Sequence, residues 1–357
     1  GLNVGRICVG ASDYSPEIYT YDDHPFDTSL EHFSIERDEK YVIPMIKEII
    51  EINPDIYLFS SPWSPPAYMK TTNMMNKGGE LKEEYYDLWA EYFVKFINAY
   101  KAEGIDIKSV TVQNEPKAKQ RWDSCIYTAE QERDFVVNHL GPKMEELGVK
   151  LFFWDHNKER LIERADVMLD SELGKKYVEG IAFHWYSGDH FEELEMFHKS
   201  YPDKELIFSE GCYEYSYGMM DTIKIGEKYA PDMIGNFNNY CNAFIDWNLL
   251  LNEKGGPNHV GNFCDSPIMA DTENDEVFVH DSYYYIGHFS RYVQRGAVRV
   301  ATTKYSRHLY TCAFQLCPRV QRHTAFTWLP AVKRSRGRAS AQKTPSGRCI
   351  SIKLNAA

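Results

Sequence analysis

The stretch Leu206-Ile207-Phe208-Ser209-Glu210-Gly211 places an acidic residue directly after a run of apolar side chains. A second stretch, Val112-Gln113-Asn114-Glu115-Pro116, has the same form 95 positions earlier. Apolar runs of this kind predict strands that are buried in a parallel sheet. Because the strand ends of a parallel barrel share one rim, the pattern predicts two carboxyl groups facing one pocket.

Strands and helices alternate along most of the chain, which indicates a barrel rather than an open sheet. The predicted strands are 5–9, 56–60, 109–114, 150–154, 180–185, 205–209 and 243–247. Apolar spacing predicts helices over 39–52, 82–100 and 283–293. A further helix begins at Thr128, with Gln131 completing a capping box, and ends at Gly148. Residues 297–314 alternate like an antiparallel strand pair.

These elements predict an α/β fold of the (β/α)8 TIM-barrel class with a small, incomplete β-sandwich side domain. Only seven parallel strands are found, so we expect the first strand-helix unit to be missing. The chain also begins without methionine, and we expect an upstream segment to be absent. The predicted domains are a barrel over 1–290, a remnant of the side β-domain over 291–315, and a basic, non-native or disordered tail over 316–357.

Charge is divided unevenly along the chain. Residues 1–281 hold all 52 acidic residues and 26 basic ones, a balance of −26, whereas residues 282–357 hold 14 basic residues and no acid. The acidic part argues against nucleic acid as a partner, because a phosphate backbone would be repelled. For the basic end we weigh a basic arm, an unfolded tail, and a frame error or chimeric end. We favour the last, because the acids and the apolar pattern are lost together.

Other composition features exclude several classes of protein. The eight cysteines show no CxxC pair and no zinc spacing, which predicts reduced thiols and a cytoplasmic location. No signal peptide is recognisable, although an absent upstream segment could carry one. The sequence contains no run of 18 apolar residues, so no transmembrane helix is expected. No glycine-rich phosphate loop follows a strand, so no nucleotide cofactor is expected. For His184, hydrogen bonding in the core is favoured over a metal site with His190 or His156.

Polar and aromatic residues stand at or near other predicted strands. Arg6 lies inside the first strand, where an unpaired guanidinium is costly, so we expect it to pair with a carboxylate such as Glu210. Asn114 can donate to a sugar 2-hydroxyl, and the Tyr186 hydroxyl can donate to the carboxylate that attacks the sugar. Four more residues offer acceptors, stacking faces or donors to a sugar, although core packing or capping explains each equally well: Asp13, Trp63, Tyr186 and Trp247.

Several motifs in fixed order resemble glycoside hydrolase family 30, and within it the glucosylceramidase-like branch. The likeness runs from about Leu2 to Phe314. Its motifs are Ser60-Ser61-Pro62-Trp63-Ser64-Pro65-Pro66, Tyr92-Phe93-Val94-Lys95-Phe96, Gln113-Asn114-Glu115-Pro116, His184-Trp185-Tyr186, Ser209-Glu210-Gly211-Cys212, Asp246-Trp247-Asn248-Leu249 and Asp265-Ser266-Pro267-Ile268. The resemblance implies retaining hydrolysis, with Glu115 as acid/base and Glu210 as nucleophile. It also implies a glucose subsite of Arg6, Asp13, Trp63, Asn114, Tyr186, Trp247 and Asn262.

The two glutamates predict cleavage of a glycosidic bond, and the resemblance implies a retaining β-glycoside hydrolase that acts by double displacement on a terminal β-glucosyl unit. The expected partner is a carbohydrate or glycolipid substrate, either glucosylceramide-like or another β-glucoside, and no cofactor or metal is expected. Within enzymes, a β-1,6-glucanase or β-xylosidase of the same family is the alternative. From another class, the alternative is an inactive carbohydrate-binding barrel or a truncated remnant.

Overall fold

The protein is described here from a computed structural model. The described residues are 1–218, 221–306 and 308–315, together with the backbone of three strands, His323–Leu329, Ser340–Lys343 and Cys349–Asn355. The side chain of Tyr217 is not described.

The main sheet has seven parallel strands that follow one another in chain order. They are β1 Val4–Val9, β2 Tyr57–Pro62, β3 Ile107–Thr111, β4 Lys150–Asn157, β5 Val178–His184, β6 Glu205–Glu210 and β7 Ala243–Phe244. The predicted seven-strand order is thus confirmed. The last strand is shorter than the predicted 243–247, although Ile245 and Trp247 still donate backbone hydrogen bonds to Phe208 and Gly211.

The sheet curls around an apolar interior, as a barrel requires. Side chains from β2, β4, β5 and β6, and Ile245 just after β7, pack into one buried cluster: Phe59, Phe152, Ala182, Ile207 and Ile245. A cavity of about 850 Å³ lies between β1 and β7. Among the strands that the structure describes, none pairs with the outer edge of β1 or of β7. The expectation of a missing strand-helix unit stays a prediction.

Helices cover the outside of this sheet. They are α1 Glu36–Glu39, α2 Val42–Ile52, α3 Tyr86–Ala102, α4 Ala129–Phe135, α5 Gly141–Leu147, α6 Leu161–Leu169, α7 Glu172–Tyr177, α8 Phe191–Ser200, α9 Thr222–Asn238 and α10 Asp281–Ser290. In α3 the buried side chains recur every three or four residues, as the apolar spacing predicted: Trp89, Phe93, Phe96 and Tyr100. Within the described residues, no helix combines the length and the apolar character needed to cross a bilayer.

Two predicted helices are interrupted next to a proline residue. The helix predicted over 39–52 is broken between α1 and α2, because the ring of Pro44 conflicts with the carbonyl four residues before it. The helix predicted from Thr128 to Gly148 has its capping box and its left-handed end, at φ 67°. Between them, however, it widens into a π turn at Val136–Leu140. Pro142 lacks the N–H for a regular bond there, and Gly141 donates instead to Val136.

Two smaller sheets follow the main one. One consists of β8 Leu250–Asn252, β9 Ile268–Asp271 and β10 Glu276–Val279, which are too short for a sequence pattern to reveal. The other contains β11 Val298–Val300 and β12 Tyr310–Gln315, and their antiparallel pairing confirms the prediction for 297–314. Its remaining strands are β13 His323–Leu329, β14 Ser340–Lys343 and β15 Cys349–Asn355. The rest of the predicted 316–357 tail lies outside the described residues, and the domain boundaries stay predictions.

Candidate active site

Glu210 is the last residue of β6, and two donors from other strands hold its carboxylate. Nη1 of Arg6, in β1, donates to Oε2 of Glu210 at 2.8 Å. The hydroxyl of Tyr186, two residues after β5, donates to Oε1 at 2.9 Å. The structure thus confirms the predicted pairing of Arg6 with Glu210 and the predicted contact of the Tyr186 hydroxyl. Both donors stabilise the ionised form of this carboxyl group.

Glu115 follows β3 in a strained backbone conformation. Its φ is 48°, in the left-handed region that side chains other than glycine rarely adopt. Its N–H donates to the carbonyl of Asp155 at 3.0 Å, and Asp155 itself has a φ of 49°. Strain of this kind costs about 1–3 kcal/mol and is concentrated at functional sites. The turn directs the Glu115 side chain into the cavity that Glu210 also lines.

The two glutamates converge on a single ring nitrogen. Nδ1 of His184, the last residue of β5, lies 3.5 Å from Oε1 of Glu115 and 3.9 Å from Oε1 of Glu210. The two oxygens can therefore be no more than about 7.4 Å apart. The convergence of two carboxyl groups on one pocket, which the sequence predicts, is confirmed.

Behind the glutamates lies Asp155, a fully buried acid that the sequence analysis missed. It accepts hydrogen bonds from Nη2 of Arg6 at 2.7 Å and from Oγ1 of Thr111 at 2.8 Å. Oγ of Ser209 donates to it at 2.5 Å, and Nε2 of His184 lies 2.9 Å away. Burial alone would raise the pKa of Asp155, but the charge of Arg6 and the contacts with His184 hold this pKa well below its usual range. Asp155 therefore supplies the fixed negative charge that orients Arg6 and His184.

His184 is buried and hydrogen-bonded, as the sequence predicts, and its neighbours favour its charged form. Burial opposes protonation, but the charge of Glu210 and the contacts with Asp155 and Glu115 raise the pKa of His184 to about 9. His156, whose Nε2 is 3.8 Å from Glu115, behaves in the opposite way. Its burial lowers the pKa of His156 to about 4. At neutral pH the pocket thus holds one charged and one neutral imidazole beside Glu115.

The pKa values of the glutamates reflect the same neighbours. Burial raises the pKa of Glu210, only partly opposed by the charges of His184 and Arg6, and the charge of Glu115 raises it further. Burial acts on Glu115 in the same direction, but His184 and His156 outweigh it, so the pKa of Glu115 is lowered. These directions favour a proton on His184, whose Nδ1 lies 3.5 Å from Oε1 of Glu115, over a proton on Glu115.

The remaining predicted residues surround the same cavity. The rings of Trp63 and Trp247 stack with centroids 5.0 Å apart, and the Arg6 guanidinium lies 4.9 Å from the Trp63 ring. Oδ2 of Asp13 accepts from Nδ2 of Asn262 at 3.3 Å, and burial raises the pKa of Asp13 to about 7. Oδ1 of Asn114 accepts from Arg6 at 3.0 Å.

The cavity has a volume of about 270 Å³. Eight of the nine predicted site residues line it: Asp13, Trp63, Asn114, Glu115, Tyr186, Glu210, Trp247 and Asn262. Arg6 lies behind them and donates hydrogen bonds to Glu210 and Asn114. Sequence reasoning missed other lining residues: Asn157, the last residue of β4, and four residues that stand in loops, namely Gln120, Trp122, Glu214 and Cys264. Asn157 and Glu214 stand close to a predicted strand end, which is their only sequence signal, whereas Cys264 has no such signal.

A cysteine nucleophile or a metal site is less well supported beside this cavity. Sγ of Cys212 lies 3.3 Å from Sγ of Cys264, and this contact, together with burial, raises the pKa of Cys212 well above its ordinary value. A thiol held in this protonated form is a poor nucleophile. Within the described part of the chain, no group of three or more His, Cys, Asp or Glu side chains is arranged to hold a metal ion.

Two carboxyl groups at the carboxyl ends of parallel strands, with aromatic and amide side chains around them, form the arrangement of β/α-barrel glycoside hydrolases. The chain belongs to glycosyl hydrolase family 30, whose TIM-barrel domain matches residues 1–293.

The chain is also similar in sequence to proteins named as glucosylceramidases. The chain is 36% identical over 318 residues to putative glucosylceramidase 3 of Caenorhabditis elegans, covering 84% of this chain and 61% of the relative. It is 35% identical over 319 residues to the lysosomal acid glucosylceramidase of Mus musculus, covering 84% and 62%. The chain thus spans about three-fifths of the length of these relatives.

Solved structures show the same fold. The crystal structure of SrfJ from Salmonella typhimurium matches with a TM-score of 0.85 and 41% identity, over 88% of this chain and 71% of that one. The endo-β-1,6-glucanase BT3312 matches with a TM-score of 0.81 and 33% identity, over 88% and 73%.

Proposed function

We propose that this protein is a retaining β-glycoside hydrolase that removes a terminal β-glucosyl unit by double displacement. The observation that carries the proposal is the convergence of Glu115 and Glu210 on His184, with Glu210 held by Arg6 and Tyr186. Two carboxyl groups on either side of a glycosidic bond are the equipment that its hydrolysis needs. Family membership supports the same reaction class.

In the first step, Glu210 acts as nucleophile and Glu115 as acid. A carboxylate oxygen of Glu210 forms a bond to the anomeric carbon while the bond from that carbon to the leaving oxygen breaks. Glu115 gives its proton to the leaving oxygen, which departs as an alcohol. Arg6 and Tyr186 keep an electron pair on Glu210 available, because their hydrogen bonds favour its ionised form.

The proton that Glu115 donates is supplied by His184. A proton on Nδ1 of His184 and a proton on Oε1 of Glu115 are two arrangements of the same total charge, separated by 3.5 Å. Asp155 faces the other ring nitrogen, Nε2, and holds the imidazole in this orientation. A substrate oxygen beside Glu115 favours transfer of the proton to the carboxyl group, because it provides a new acceptor.

In the second step, Glu115 acts as base. It takes a proton from water while the water oxygen bonds to the anomeric carbon, and the bond to Glu210 breaks. The sugar leaves with its original configuration, and Glu115 has recovered the proton that it lost.

The walls of the cavity favour a sugar at the end of its chain. Asp13 offers carboxylate oxygens to sugar hydroxyls, while Trp63 and Trp247 offer aromatic faces and ring N–H groups. The volume of about 270 Å³ lies just below the roughly 300–1,000 Å³ typical of sites for drug-sized ligands. A terminal glucosyl unit fits such a site better than the middle of a long polysaccharide. The predicted cytoplasmic location and cofactor independence stay predictions.

A substrate panel with product analysis tests the proposal. The protein is incubated with an aryl β-glucoside, with the corresponding β-xyloside and β-fucoside as controls, and the released sugar is followed by proton NMR. We expect the glucoside to be preferred and β-glucose to appear first, before mutarotation. Initial release of α-glucose would indicate inversion and contradict double displacement. Preference for the xyloside would favour the β-xylosidase alternative.

A further inference from the structure

The wall of the cavity on the Glu115 side is built from residues with polar or amphipathic side chains. Nε2 of Gln120 donates to Oε2 of Glu115 at 3.3 Å, and His156 lies 3.8 Å from the same carboxyl group. Trp122, two residues after Gln120, lines the same cavity, and so does Glu214, whose pKa is raised by burial and by the nearby charge of Glu115. Since Glu115 protonates the leaving oxygen in the proposed reaction, the departing group must lie against this wall.

No aliphatic side chain is found among the described residues that line this cavity. The hydrocarbon chains of a ceramide gain binding energy from apolar surface. The part of a ceramide next to the leaving oxygen offers one hydroxyl and one amide N–H, but the chains that follow would remove water from a carboxylate and an amide at this wall without replacing the lost hydrogen bonds, which is unfavourable. A sugar offers hydroxyl donors to these groups and a C–H face to Trp122.

Glu214 is the acceptor on this wall with the most unused capacity. Its backbone is fixed by an antiparallel bridge to Cys264, and Oε2 accepts from Oγ of Ser216 at 3.2 Å. Among the described residues, no Lys or Arg lies within ion-pair distance of this carboxylate, although the charge of Arg121 acts on it from further away. Burial raises the pKa of Glu214, as expected for a carboxyl group that is partly withdrawn from water. Its Oε1 is available to accept from a ligand hydroxyl.

We propose that Glu214, Gln120 and Trp122 form a leaving-group subsite that selects a second sugar rather than a lipid. The natural substrate is then a β-glucosyl saccharide, whose leaving unit donates hydroxyls to Glu214 and to the amide oxygen of Gln120. This inference rests on the proposed function, and it names the determinant of substrate class within the same pocket.

The test compares kcat/KM for three substrates: a β-1,6-linked glucose disaccharide, detergent-dispersed glucosylceramide and an aryl β-glucoside. For the wild-type protein we expect the disaccharide to exceed glucosylceramide by tenfold or more. Glu214→Leu should lower kcat/KM for the disaccharide by about tenfold more than for the aryl glucoside, because a hydrogen bond to a charged acceptor is lost. Glu214→Gln keeps one acceptor oxygen, so its kcat/KM for the disaccharide should fall between that of the wild type and that of Glu214→Leu.

Glu48→Leu, at an exposed position of α2, is the matched control for loss of one negative charge. It should leave the ratio between the substrates as in the wild type. Two results would overturn the inference while leaving the proposed function standing: glucosylceramide cleaved at least as well as the disaccharide, or equal losses on disaccharide and aryl glucoside in Glu214→Leu. If the wild-type protein cleaves none of the three, the proposed function itself fails and this inference with it. The wild-type comparison decides even where a variant does not fold.

Discussion

Arg6 of the first strand donates a 2.8 Å hydrogen bond to Glu210 of the sixth strand, across 204 positions of sequence. The same guanidinium donates to Asp155 at 2.7 Å, so one buried cation joins three strands of the sheet. A buried cation of this kind is costly unless it is fully paired. The pairing therefore explains how the fold fixes the proposed nucleophile before any substrate binds.

Replacement of Tyr186 by phenylalanine should shift the pH profile of the enzyme. The Tyr186 hydroxyl stabilises the Glu210 anion through its 2.9 Å hydrogen bond, so its removal raises the pKa of Glu210. Because Glu210 must be ionised to attack, the acidic limb of kcat/KM should move to higher pH by about one unit. An acidic limb that stays in place would show that this contact does not tune Glu210.

Replacement of Glu115 by alanine should make the rate depend on the leaving group. Natural glycosides need a proton on the departing oxygen, whereas activated aryl leaving groups do not. We expect activity on an unactivated glucoside to fall by about 10²–10⁴-fold. A β-glucosyl fluoride or a dinitrophenyl β-glucoside should retain a fast first step, and a small anion such as azide should restore turnover.

Equal losses of kcat/KM on activated and unactivated substrates would contradict the role of Glu115. So would the absence of a glycosyl azide product with retained configuration, because azide needs no general base to attack the glycosyl-enzyme.

Replacement of Asp155 by asparagine should destabilise the fold. It leaves the Arg6 and His184 charges without their shared buried partner, a loss that typically costs about 3–5 kcal/mol. Urea denaturation measures the change in the free energy of unfolding. Asp106→Asn is the control, because Asp106 pairs with Lys108 at the exposed surface and such pairs are worth about 0–1 kcal/mol. Similar effects of the two variants would refute the buried network.

Stability should also depend on pH through His184. Its pKa is raised from 6.5 to about 9 in the folded state, so its charge stabilises the fold fully below pH 6.5. That stabilisation is lost as the pH rises through about 9. Between pH 6 and pH 9.5 the free energy of unfolding should fall by about 3 kcal/mol more in the wild type than in His184→Gln. Parallel pH dependences in the two proteins would show that His184 is not charged in the folded state.

The main features of the fold could be predicted from sequence, because each rests on a local pattern. The apolar runs before Glu115 and Glu210 identified two buried strands with acids at one rim, and the capping box at Thr128 identified a helix start. Proline effects on helix continuity were missed at Pro44 and Pro142, although the restriction is local. The strands of β8 and β9, with three and four residues, are too short to give a pattern.

Part of the site depends on relations that no local pattern contains. The pairing of Arg6 was predicted from the cost of burying a charge, yet its second partner, Asp155, was not. The side chain of Asp155 is directed inward by a left-handed backbone, with φ 49°, which the sequence does not announce. Glu214 was missed because it stands four residues after a strand end, and only the fold returns its loop to the cavity.

The most direct test of the account is to trap the sugar on its nucleophile. The protein is incubated with an activated 2-deoxy-2-fluoro-β-glucoside, which slows the second step, and then digested and analysed by mass spectrometry. We expect one fluoroglucosyl group per chain, attached to Glu210, and no such adduct in Glu210→Gln. An adduct on Glu115, or steady turnover of β-glucosides by Glu210→Gln, would contradict the assignment of Glu210 as the residue that bonds to the sugar.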